Sequence, residues 1–383
     1  MLSQRKHSGR QLIKSIFLSP PLLPKATFPR LGKEMEERYH MIHYLRYCCA
    51  MFFALFSFLL ATPLSAQAQT REAYVSQSED QTTLTFYYDA LRSTRTGTTW
   101  EIMEYSSENK IYPAWAGTWD WADKTTTRVV FDASFRDFRP TTTATWFFRC
   151  NALKQIEGLE YLNTSEVKDM SSMFYDCQAL TSIDLKHFNT KNVTDMSWMF
   201  CDCVALTSLD LKNFDTKNVT KMGSMFAGCA ALTSINLKNV NTKKVTDMSW
   251  MFYDCAALTS IDLKSFNTKN VADMAVMFRG CSALNSLDLQ HFNTKNVTDM
   301  SLMFFDCAAL TTIYCNTTWQ CRASEKMFAG CTKLKGAVAY NKNKVDAKMA
   351  NPKTGYFTAK PTMVERNRRR AAHLPTARKR GAW

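Results

Sequence analysis

The residues best suited to chemistry are cysteines, and their spacing is regular. Cys177, Cys203, Cys229, Cys255, Cys281 and Cys307 lie 26 residues apart, and Cys331 follows after 24. If successive copies stack like strands, these cysteines stand about 5 Å apart, within disulfide reach. They would all point the same way on an apolar face, however, where a free thiol behaves as a small hydrophobe. The spacing therefore predicts a buried thiol ladder. Cys315 and Cys321 leave the ladder and close a short loop around Trp319, so a disulfide is expected between them. Cys201 stands where other copies carry Tyr175 and Tyr253, and reads as a partly exposed thiol.

Charged residues recur at the same step. Asp184, Asp210, Asn236, Asp262 and Asp288 form one row, beside Lys186, Lys212, Lys238, Lys264 and Gln290. Such rows offer a flat polar face to a protein or glycan, as repeat arrays commonly do. They suit equally a solvated face whose lysines offset its aspartates. Calcium is disfavoured, because the carbonyl-rich loop and glycine turn of such sites are missing. Catalysis finds no foothold. His187 and His291 share one repeat position far apart along the chain, and no nucleophile elbow, phosphate loop or clustered acid pair is present. No cofactor and no metal are expected.

The elements that must position these rows follow from hydrophobic spacing. Val193, Met196, Met199, Phe200 and Cys203 fall three and four apart, which predicts a short helix capped near Asn192 or Thr194 with Asp195 in its first turn. Leu206, Leu209 and Leu211 predict a short strand with Asp210 facing outward. Asp215 to Asn218 reads as the polar connection to the next copy. One such unit cannot fold alone. About seven buried apolar side chains contribute roughly 10–20 kcal/mol, while ordering 26 residues costs more at roughly 1–2 kcal/mol each. Stacking neighbours into one core closes the gap. The fold class expected is α/β: a leucine-rich-repeat-like solenoid of short parallel strands and short helices, with a β-rich N-terminal cap.

The chain of 383 residues carries a formal net charge of +14, unevenly placed. Residues 1–68 and 361–383 each carry +6, leaving +2 on the body. A nucleic-acid partner is therefore not expected for the repeats. The basic tail, 361–383, reads as disordered; it suits an anionic surface or an extension without a role. Cys48 to Ala61 is an apolar run between Arg46 and Ala66-Gln67-Ala68, which predicts a secretory signal peptide cut after Ala68. The run is too short to span a membrane, and Met41 is a plausible start. No transmembrane span is expected in the mature chain.

Residues 69–145 do not repeat. Ala73 to Ser76 and Thr83 to Tyr88 predict two strands around a turn, and Val129 to Asp132 a third. Trp100, Trp115, Trp119 and Trp121 either fill this module's core or stack on sugar rings. Trp146 to Cys150 is a degenerate first copy, 27 residues before Cys177. The array is read as 146–335, with a C-terminal cap at 336–360.

The segment LTSIDLKHFNTKNVTDMSWMF, residues 180–200, resembles the repeat of BspA-like leucine-rich-repeat bacterial surface proteins. The likeness extends to residues 129–148, 156–167 and 333–358, so it covers about 72–358. It implies a secreted or surface-exposed bacterial protein that binds host matrix proteins, host cells or other bacteria, without catalytic residues. The prefix before Met41 and the tail after Phe357 depart from the family pattern, and no sorting domain or lipid signal marks a route of attachment. The function expected is a non-enzymatic binding or adhesin module. The alternative is a structural spacer that presents the Trp-rich N-terminal module.

Overall fold

The computed structural model describes residues 41, 42, 44–46 and 70–361, apart from 104, 106–108 and 110. The expected signal peptide, from Cys48 to Ala68, and the basic tail beyond 361 lie outside the described residues. The chain divides into two compact units, 1–69 and 70–383. In the first, residues 41–42 and 44–46 are helical and exposed. Among the described residues, no helix is long and apolar enough to cross a membrane.

The second unit begins with a mixed sheet. Strands β1 (Glu72–Gln77) and β2 (Thr83–Asp89) pair antiparallel. The Asp80 carboxylate holds the turn between them, accepting from Ser78 Oγ at 2.6 Å and the Thr82 amide at 3.1 Å. β3 (Thr98–Glu101) pairs with the free edge of β1. On the other edge, β4 (Arg128–Phe131) and β5 (Gln155–Glu157) add in parallel. Alternate residues Leu84, Phe86, Val129 and Phe131 are buried, as a half-covered sheet requires. Phe86 packs against Phe131 at 4.6 Å, Trp146 at 5.3 Å and Trp115 at 5.7 Å between ring centres. Because β5 already belongs to the first repeat copy, the sheet runs into the array. One core continues from Val75 to Phe357.

In the repeats, the expected short helices are absent. Val193, Met196, Met199, Phe200 and Cys203 are all fully buried, but the segment is a chain of tight turns. The Met199 amide bonds the Met196 carbonyl, Cys201 bonds Trp198, and Cys203 bonds Phe200. Trp198 and Asp202 take φ of 63° and 58°, the left-handed conformation that a type II turn needs at its third residue and an α-helix excludes. The amides between those donors reach outward: Met196, Trp198, Phe200 and Asp202 donate to the carbonyls of Lys221, Gly223, Met225 and Ala227 in the next copy. Half the backbone thus closes turns and half stitches neighbours together. A helix would satisfy its own amides and leave none to bond the next copy.

Every copy repeats this arrangement. Parallel bridges run from Thr142 through Asp169, Asp195, Lys221, Asp247, Asp273 and Asp299 to Ala323. A second column pairs β6 (Ser208–Asp210) with β7 (Ser234–Asn236), and further on β8 (Ser286–Asp288) with β9 (Thr312–Tyr314). The array is therefore sheet-rich, without a closed sheet. Between the columns Phe147, Phe174, Phe200, Phe226, Phe252, Phe278, Phe304 and Phe328 stack with centres 5.4 to 6.1 Å apart and planes within 19°. Residues after the last copy turn back, and β10 (Phe357–Thr358) pairs with β9. Trp319, Tyr356 and Phe357 close that end of the core.

Candidate binding surface

The cysteines form a hydrogen-bonded ladder. Each thiol points at the carbonyl of the ladder phenylalanine one copy back: Cys177 to Phe147 at 3.1 Å, Cys203 to Phe174 at 3.0 Å, and so on to Cys331 and Phe304 at 2.9 Å. The same carbonyl accepts an amide within its own copy, as Phe200 does from Cys203, so the thiol fills a second lone pair. Burial pushes the Cys177, Cys203, Cys229, Cys255 and Cys281 thiols up, Cys281 to about 12 and Cys255 well above the ordinary value. Thiols held protonated are poor nucleophiles. All eleven described cysteines are free.

Two expectations about cysteine are corrected. Cys315 and Cys321 form no disulfide: Cys315 turns toward Thr317, and Cys321 toward the Val297 carbonyl at 3.6 Å. Cys315 sits at the end of β9, buried in the core, while Cys321 has already passed to the turn side of the copy. Cys201 is buried, not partly exposed; its thiol lies 3.6 Å from the Asp202 carboxylate.

The two charged rows lie on the outer side of the strand column, and their acids first serve the backbone. Asp184 accepts the Lys186 amide at 3.0 Å, Asp210 that of Lys212 at 3.1 Å, Asn236 that of Lys238 at 3.2 Å, and Asp262 that of Lys264 at 3.1 Å. Each therefore shapes the turn that ends its strand. The second carboxylate oxygen meets the same lysine's ammonium, at 2.7 Å for Asp184 and Lys186, 3.0 Å for Asp210 and Lys212, and 3.6 Å for Asp262 and Lys264. The ammonium of Lys186 holds the Asp184 carboxyl below its usual range. Asn236 instead donates to Asp210 across the copies at 2.8 Å. From Asp184 to Lys264 the face is open, with four lysines against three aspartates. Asp288 and Gln290 differ. Lys360 crosses over them and bonds Asp288 at 2.6 Å, and both are only part-exposed. Burial works to raise the Asp288 carboxyl, but the Lys360 and Gln290 donors outweigh it and hold it low.

The tryptophans of the N-terminal module divide. Trp115 is buried and donates to the Trp146 carbonyl at 2.9 Å. Trp119 and Trp121 stay about half exposed, Trp119 packing edge-on against Phe148 and Tyr175.

The polar connection between copies carries more than its composition suggested. Buried Thr242 donates to the Asn267 carbonyl at 2.9 Å and accepts the Asn267 amide at 2.7 Å. Thr216 and Thr268 do the same one copy either side. Asn218, Asn270 and Asn296 donate to the backbone of the preceding copy. Recurrence of Thr at 190, 216, 242, 268 and 294 was the signal for this role.

A family described as "Mycoplasma protein of unknown function, DUF285" matches residues 141–255 and 228–342, more than half of the chain. The chain belongs to that family. The assignment agrees with the BspA-like leucine-rich-repeat resemblance of its 26-residue copies. No curated protein matches. Among solved structures, a leucine-rich cell surface protein from Faecalibacterium prausnitzii A2-165 is similar at 15% identity, covering 77% of this chain and 95% of that one, with a TM-score of 0.30. A leucine-rich repeat protein of T. pallidum is similar at 17% identity, covering 50% and 90%, with a TM-score of 0.26.

Proposed function

We propose that this DUF285 chain is a secreted or cell-surface bacterial protein whose repeat solenoid acts by binding, with no catalytic role. The observation that carries the reading is the open face from Asp184 to Lys264. Its charged groups recur at one step, stand on a stack stitched by hydrogen bonds, and are exposed. Rows of opposite charge at a fixed spacing suit an extended protein or glycan ligand on a host or bacterial surface, because each copy adds a weak contact to the last. Exposed ion pairs of this kind contribute little to stability, so their exchange for contacts with a partner costs little.

A second reading, a spacer that presents the N-terminal module, draws support from the exposure of Trp119 and Trp121. Removing the whole module is a poor test, since its sheet shares a core with the first copies. Trp119→Ala with Trp121→Ala leaves that core intact. The experiment is saturable binding of the full chain to immobilised matrix proteins and a glycan array, beside a hydrolase screen. Binding that survives the tryptophan changes, without turnover, is the result expected. Loss of binding on those changes favours the spacer, and turnover overturns both readings.

A further inference from the structure

Opposite the strand face, the turn segments carry an aromatic ridge. Trp119 packs on Tyr175, and Tyr175 on Trp198 at 5.9 Å. Further along, Trp250 packs on Tyr253 at 4.9 Å, and Arg279 lies over both Tyr253 and Phe305. The ridge is broken at one copy. Where its neighbours carry Trp198 and Trp250, that copy has Ser224; where they carry Cys201 and Tyr253, it has Ala227. The result is a cleft of about 380 Å³ floored by Gly223, Ser224 and Ala227 and walled by the two tryptophans. Copies stand about 4.8 Å apart, so walls two copies apart leave room for one flat group between two rings.

The chemistry of the lining is one-sided. Asp202 and Asp247 reach into the cleft, with Tyr253 and the serines as neutral company, and the lining contains no lysine, arginine or amide side chain. Lys221, on the row beside it, is ion-paired to Asp195 at 3.1 Å. Asp247 uses one oxygen on the Ser249 amide; the other stands 3.0 Å from where a Cβ on Gly223 would be, directly over the floor. Asp202 lies between Asp176 and Asp254 along the stack. Burial raises its carboxyl, and Asp176 and Asp254 add to that, while the Cys201 thiol and the Tyr175 hydroxyl offset part of it as hydrogen-bond donors. Trp198 and Trp250 hold φ of 63° and 60°, a conformation that is costly for bulky side chains, yet both rings remain about 40% exposed. The turn imposes that conformation in every copy, at Ser172, Ser224, Val276 and Leu302 as well, so it fixes where the two rings project.

We propose that this cleft is a binding site for a cationic side chain of a partner protein, best an arginine, stacked between Trp198 and Trp250 with its guanidinium on Asp202 and Asp247. Aromatic faces attract cations, and a planar guanidinium fits both a slot between rings and a carboxylate fork. A sugar could also stack on the rings, but two acids without an amide or base to accompany them favour a cation. The site is independent of the strand face.

The test is a titration of the full chain with acetyl-Gly-Arg-Gly-amide, followed through the indole N–H resonances. The same peptide with citrulline, which keeps the shape and loses the charge, runs beside it, as does methyl glucoside. Saturable shifts of Trp198 and Trp250, at least about tenfold tighter for arginine than citrulline, are expected. Ser224→Trp with Ala227→Tyr gives the broken copy its neighbours' residues, so it keeps the fold while filling the cleft; it should abolish the shifts. Asp202→Asn should weaken binding while leaving the walls in place. No saturation with arginine, equal response to citrulline, tighter binding of the glucoside, or unchanged binding in the filled variant each overturns the proposal. Charge reversal on the strand face should not alter this titration, so the two sites fail separately.

Discussion

At one residue per copy, the backbone decides between aspartate and glycine. Asp176, Asp202, Gly228, Asp254, Gly280, Asp306 and Gly330 occupy the same left-handed position, with φ between 51° and 84°. Glycine takes this conformation freely, and aspartate tolerates it. The alternation follows from crowding. A Cβ on Gly280 would lie 1.8 Å from the Asp254 carboxylate, and one on Gly228 would lie 2.1 Å from that of Asp202. Where two aspartates do adjoin, at 176 and 202, Arg149 draws the Asp176 carboxylate aside at 3.2 Å. Gly280→Asp should therefore destabilise the chain by about 2 kcal/mol or more, measured by urea unfolding. Arg149→Met should leave the adjoining Asp176 and Asp202 carboxylates uncompensated and destabilise the chain in the same measurement. The thiol ladder gives a second prediction: Cys255→Ala loses its bond to the Phe226 carbonyl and leaves a small void, costing about 1–2 kcal/mol. Native protein should react with iodoacetamide at Cys321 well before any ladder thiol, as read by peptide mass mapping.

For the elements, the strands were legible and the turns were not. Leu209 and Leu211 facing in and Asp210 facing out could be read from alternation, as could β1 and β2 around the Asp80 turn. The expected helix failed because apolar spacings of three and four also suit consecutive turns closed from i to i+3. What separates the two is positive φ; Gly228, Gly280 and Gly330 hint at it at the position of Asp202, whereas Trp198 and Val276 give no hint at theirs. The Cys315–Cys321 loop misled for another reason, since sequence closeness says nothing about which side of a copy each residue occupies. The acid rows were legible as rows, but their backbone role appears only once the turns are known. Thr242→Val removes both inter-copy bonds of a buried hydroxyl and should cost about 1–3 kcal/mol. On the bridge row, burial and then Asp247 and Asp299 raise the Asp273 carboxyl. A carboxyl raised on folding supports the fold at low pH, and that support is lost as pH rises through its folded value. Asp273→Asn keeps the bond from the Ala275 amide and should raise Tm by about a degree or two at pH 7. The gain should fade below about pH 4.

Over the whole molecule, a continuous core joins the N-terminal sheet to the C-terminal strand, so the described unit is one body with two differently equipped sides. One side carries balanced charge at a fixed step; the other carries aromatic rings and a single acidic break. The high net charge belongs to the ends, and the body at +2 has no general attraction for polyanions. Binding by the strand face should therefore depend on matching spacing more than on net charge, and, because its charges are exposed, should weaken as salt rises. The most direct test is the affinity of a ligand found on the matrix and glycan panels for a chain with Lys186, Lys212, Lys238 and Lys264 changed to Glu. Loss of at least about tenfold in affinity, with circular dichroism unchanged, is predicted by a binding strand face. Unchanged affinity in a folded variant would contradict it.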